Sequence, residues 1–139
     1  MKVAFGIVLA GSVGLLAAVA PWAGTASPAP ERIERGRYLV QHVALCVQCH
    51  SPRDERGGLL EQQLLHGAAM PLKSPWSGRP WALQAPHLAG LPGYTRRQLV
   101  ELLTEGSARD RTPPMPPMPP YRMTREDAEA VADYLASLP

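Results

Sequence analysis

The chain holds two cysteines and no third, which excludes a Cys-rich zinc site or an iron–sulfur cluster. Histidine is scarce as well. None of the four stands at the H-x(3–5)-H spacing that would complete a zinc site with those cysteines. No βαβ pattern surrounds the cysteines, as a thioredoxin-like redox pair would need. Fourteen basic side chains balance twelve acidic ones without forming a clustered face, so a nucleic-acid footprint is missing. Long helical stretches are lacking between residues 51 and 93, where Pro52, Pro71, Pro75, Pro80, Pro86 and Pro92 are scattered. Only Leu59 to Gly67 has room for more than about two helical turns there.

What the chain does have is one dense run, Cys46-Val47-Gln48-Cys49-His50. Both cysteines lie in it, and a C-x-x-C-H spacing is the attachment signature of c-type haem. Two thiols three positions apart can add to two vinyl groups of one porphyrin. The imidazole that follows is then held where it can ligate the iron. The long Pro-rich segment 51–93 suits this reading, because unstructured loops of that length in a small domain wrap something. Trp76, Trp81, Leu59, Leu60, Leu64, Leu65 and Met70 are expected as the apolar walls.

The 139 residues allow one domain and a targeting segment. Val3 to Ala20 carry no charge and follow Lys2, the pattern of an export signal, read as a cleaved peptide or as a membrane tether. Gly24-Thr25-Ala26 offers a small-residue cleavage site before Ser27. The expected division is therefore 1–26 as signal peptide or anchor, 27–30 as linker and 31–139 as the haem domain. Export agrees with the haem reading, since c-type haem is attached outside the cytoplasm.

Three main helices are expected. Ile33, Gly36, Val40, Val43 and Ala44 share a face over Glu31 to Leu45, a helix that would run straight into Cys46. A capping box of Thr95 and Gln98 opens a second, with Leu99, Leu102 and Leu103 as its stripe and Gly106 as its stop. Thr124 and Asp127 open a third that runs to about Leu138, with Ala128, Val131, Ala132 and Leu135 facing inward. Gly36 costs about 1 kcal/mol relative to Ala inside a helix, so it is expected to admit a close crossing against Ala128 and Ala132.

Before Thr124 lies Thr112-Pro-Pro-Met-Pro-Pro-Met-Pro-Pro-Tyr121. Such proline density predicts a polyproline II strap, on which Met115 and Met118 would project alike, roughly 9 Å apart. Either thioether could be the sixth iron ligand. Met123 falls at the entry to the last helix and is expected to pack, and Met70 is expected as wall.

From Gly36 to Pro139 the chain resembles the class I cytochromes c, in which a first helix leads into C-x-x-C-H and a Met-Pro-Pro loop precedes a capped final helix. Met118-Pro119-Pro120, six positions before Thr124, carries the resemblance, together with Glu126, Asp127, Ala128, Tyr134 and Leu135. The resemblance implies an all-α fold of three main helices and long loops round one covalent haem c, with His50 and Met118 as axial ligands. Ala85-Pro86-His87-Leu88 partly matches a family stretch whose proline carbonyl accepts from the ligand histidine, which implies that role for Pro86. His87 is a rarer candidate for the sixth position, a solvent-facing loop histidine being the commoner outcome, and His42 and His66 are expected in solvent.

The function expected is that of a periplasmic single-haem electron carrier, not an enzyme. Its partners would be redox proteins: a dehydrogenase as donor and an oxidase or similar acceptor. The alternatives are a haem enzyme with a displaceable sixth ligand and a cytochrome subunit of a dehydrogenase or oxidase complex.

Overall fold

The computed structural model describes residues 29–107 and 112–139. The proposed leader and the first residues of the linker lie outside them. Among the described residues the fold is mostly helical, with four helices and one two-residue ladder. No described helix is long and apolar enough to cross a membrane.

Helix α1 (Pro30–Tyr38) starts one residue inside the expected linker. Pro30 suits that place, because its fixed φ is helical and the first turn has no use for its missing N–H. The expected continuous helix to Leu45 does not form. Residues Leu39–Val43 make a π-helical turn, and Leu45 then adopts a left-handed conformation at φ 53°. The end is satisfied sideways instead. Ala44 N–H bonds the Leu39 carbonyl at 2.8 Å, and the Tyr121 hydroxyl donates to the Ala44 carbonyl at 3.0 Å. A separate short helix, α2 (Cys46–His50), carries the thiols and the imidazole.

Helices α3 (Arg96–Glu105) and α4 (Arg125–Ser137) follow their punctuation. The Thr95 hydroxyl accepts from Gln98 N–H while the Gln98 side chain accepts from Thr95 N–H, and Gly106 closes α3 at φ 67°. Thr124 Oγ1 accepts from Asp127 N–H at the start of α4. Both α1 and α3 pack on α4, round a core that includes Val40, Leu65, Leu99, Leu103, Val131 and Leu135. The Leu59–Gly67 helix is replaced by a 3-10 turn, Glu61–Gln63. Leu65 and Gly67 at positive φ (64° and 81°) end it. Just beyond, β1 (Ala68–Ala69) pairs antiparallel with β2 (Gln84–Ala85).

Gly36 does admit a close crossing, but against different residues from those expected. A Cβ built there would stand 2.0 Å from the Ala130 carbonyl oxygen and 2.7 Å from Tyr134 Cβ. Ala128 and Ala132 are buried elsewhere on α4. Gly36→Ala should therefore destabilise the haem-loaded protein by about 1–3 kcal/mol, since overpacking outweighs the roughly 1 kcal/mol gain in helix propensity. A denaturant midpoint at or above wild type would refute that crossing.

The three long helices are also tied by charge. The Asp133 carboxylate, 4% exposed, accepts from Arg96 Nε at 2.5 Å and Nη2 at 3.1 Å and pairs with Arg32 Nε at 2.6 Å. Burial alone would raise its pKa, but the Arg96 hydrogen bond and the charges of Arg96 and Arg32 hold it below the usual carboxylate value. A depressed folded value stabilises the protein above the unfolded pKa, about 3.9. That contribution is lost as pH falls toward the folded value. Asp133→Asn should cost about 1–3 kcal/mol at neutral pH, at the low end because both arginines reach solvent. The gap to wild type should narrow in acid, as equilibrium unfolding at several pH values would show; a gap independent of pH would contradict the charge assignment.

Candidate functional site

A cavity of about 1070 Å³ opens between α2, the β2–α3 segment and the strap before α4. Ligand pockets usually run to roughly 300–1,000 Å³, so this one suits a large group. Its walls are mainly apolar, among them Leu88, Leu99, Leu102, Leu103, Val131 and Leu135. None of the described lining residues is Asp, Glu, Lys or Arg.

One wall is α2. Three residues apart on a helix is about one turn, so Cys46 and Cys49 lie on one face, and both line the cavity as free thiols. Burial pushes the Cys46 thiol up to about 11, far from the lowered value of a reactive redox pair. His50 is buried at 7% exposure, and its Nδ1 lies 2.8 Å from the Pro86 carbonyl. A carbonyl only accepts, so Nδ1 carries the proton and Nε2 holds the lone pair. Burial lowers the His50 pKa, partly opposed by the Pro86 bond, which keeps the ring in the neutral form that ligates metals. No group of three or more His, Cys, Asp and Glu side chains among the described residues is placed to hold a bare ion. Two thiols, one oriented imidazole and a broad apolar slot fit a porphyrin.

The strap contributes both methionines, since Met115 and Met118 line the cavity. Its shape differs from the extended polyproline expected. Met118 N–H bonds the Met115 carbonyl at 3.2 Å, and the Pro116 carbonyl accepts from Ala82 N–H at 2.7 Å. The first bond closes a turn, so the strap is bent there and the two thioethers sit on one turn, while the second ties the strap to the segment before β2. Met118 is half-buried and packs against the core, whereas Met115 is 53% exposed. Met123 packs as expected, with its N–H on the Leu103 carbonyl at 2.9 Å.

The expected walls divide. Met70 and Trp81 line the cavity. Leu65 lies in the core instead, drawn in by its N–H on Ser51 Oγ at 2.9 Å and its carbonyl on Leu88 N–H at 2.8 Å. Leu59 packs against that core, while Leu60 and Leu64 lie outside the lining. Trp76 is exposed, its ring centroid 6.2 Å from that of Trp81 with the planes inclined by 66°. His42 and His66 are exposed as expected, and His87 lies at the cavity's exposed rim. Tyr121 was missed, although an aromatic inside the Met-bearing strap was the available signal. It lines the cavity, and burial pushes its phenol up to about 12.

A family model described as cytochrome C oxidase, cbb3-type, subunit III, matches residues 31–135. The match runs from α1 through the cysteine run and the strap into α4. No curated protein matches the chain.

Proposed function

The chain belongs to this cytochrome c family, with its covalently attached haem c and electron-transfer role, and on that premise we propose a periplasmic one-electron carrier with His50 and Met118 as axial ligands. The supporting observation is the meeting of Cys46, Cys49, His50 and Met118 on one apolar cavity. The bound haem supplies a ferric/ferrous couple. Cys46 and Cys49 would anchor its edge through thioethers. The Pro86 carbonyl fixes the tautomer and orientation of the His50 ring. The Met118 thioether, a soft ligand held on a hydrogen-bonded turn, would favour the ferrous state and raise the potential. The leucine walls would shield the bound group from water, and carrying an electron requires no acid–base pair.

Residues 1–26 act in this reading as an export signal or tether, and Val3 to Ala20 could hold the domain at a membrane surface. The matched family's description favours a second arrangement, in which the domain serves as the haem subunit of an oxidase complex. The chemistry is the same, and only the partner is permanent.

A carrier with both axial positions filled should not bind carbon monoxide quickly. The purified ferrous protein, mixed with carbon monoxide, should keep its visible spectrum over minutes and still reoxidise reversibly in a one-electron titration. Rapid carbon monoxide binding by wild type would favour a haem enzyme with a displaceable ligand.

A further inference from the structure

Three hydrogen bonds hold the strap that carries Met118. Ala82 N–H donates to the Pro116 carbonyl at 2.7 Å, and Met123 N–H donates to the Leu103 carbonyl at 2.9 Å. The third comes from a side chain: the Tyr121 hydroxyl donates to the Ala44 carbonyl at 3.0 Å. Of the three, this bond alone leads to the segment that enters Cys46, since Ala44 stands two positions before that thiol. Tyr121 and Ala44 both line the cavity, as do Cys46 and Met118. The bond therefore joins the methionine strap to the cysteine wall of the same cavity.

Both ends of that bond are firm. Ala44 closes the π-helical turn Leu39–Val43, in which Leu39 and Val40 are buried. The Gln41 side chain holds the turn to α4 by donating to the Tyr134 hydroxyl at 3.0 Å. Leu45 then turns left-handed, and carbonyls at such a helix end need a donor from outside the helix. At the other end, only Pro119 and Pro120 separate Tyr121 from Met118. Each ring fixes φ near −65°, so the position of Tyr121 is passed to Met118 with little slack. Without the hydroxyl, Met118 would sit midway on a longer run held only at Pro116 and Met123, and seating its thioether would order more chain.

We propose that Tyr121 is a positioning residue for the axial methionine: its hydroxyl clamps the strap to the Ala44 carbonyl and slows the departure of Met118 from the iron. The inference rests on Met118 as the sixth ligand and adds what keeps it seated.

The test follows cyanide binding to the haem-loaded ferric protein by stopped flow. At saturating cyanide the observed rate is that of Met118 leaving. Tyr121→Phe keeps the ring and removes the hydroxyl, so this rate should rise about three- to tenfold, as fits the loss of one hydrogen bond. The visible haem spectrum, the helicity and the near-infrared thioether band should be retained. Replacing Tyr121 by 4-aminophenylalanine restores a donor and should return the rate toward wild type. Asp133→Asn loosens the ties between helices but not the strap, and should bind cyanide as wild type does. In the Met118→Ala background, Tyr121→Phe should add no acceleration. The clamp alone is overturned, with His/Met ligation left standing, by equal rates in Tyr121→Phe and wild type. An equal acceleration in Asp133→Asn, no rescue by the amino variant, or a further acceleration without Met118 would overturn it too. A wild type without the near-infrared band would overturn His/Met ligation, and the clamp with it.

Discussion

Cys46→Ala/Cys49→Ala should yield a protein from which acid extraction removes all haem, whereas each single variant keeps one thioether or none. The two thiols are the chain's only cysteines, so no other residue can replace those bonds. The consequence for folding should be as large. Without the porphyrin, the leucine walls of the cavity lose their apolar partner, and each such side chain left facing water forfeits about 1.5–3 kcal/mol. A few of them together rival the roughly 5–15 kcal/mol of total stability typical of a domain. The double variant should thus show largely unfolded far-ultraviolet circular dichroism when no haem is supplied. A double variant that retains haem through extraction, or keeps wild-type helicity without it, would contradict this.

Met118→Ala should open the iron. The ferrous variant should bind carbon monoxide within the mixing time, and the potential should fall by on the order of 0.1 V, a modest part of the roughly 0.8 V span that axial ligands control. Met115→Leu should change neither property. The two methionines share one turn, so the contrast tests which thioether is seated and not whether the strap is intact. The half-buried position of Met118 and the exposed one of Met115 are the physical grounds for the choice. If Met115→Leu opens the iron and Met118→Leu does not, the ligand is the other methionine of the same turn.

The features that were legible in the sequence are local ones. Thr95 with Gln98, Thr124 with Asp127, and Gly106 announce helix ends because each bonds within a few residues. The Pro86 carbonyl on His50 could be expected only through a family resemblance, since the two lie far apart in the chain. Gly36 signalled that a helix must come close. Its partners, Ala130 and Tyr134, depend on how α1 and α4 register in space. Leu45, Leu65 and Leu91 take positive φ with no glycine or asparagine to mark them, so the break before Cys46 and the inward turn of Leu65 had no local signal. The strap's proline content predicted extension, and the Met118 N–H bond to the Met115 carbonyl closes a turn in it instead.

The near-infrared absorption of the ferric wild-type protein tests the central claim most directly. A thioether on ferric iron gives a weak charge-transfer band there. With His50 and Met118 as the axial pair, wild type should show that band and Met118→Ala should lose it. A correctly haem-loaded wild type without the band would contradict His/Met ligation, and with it the one-electron carrier proposed for this site.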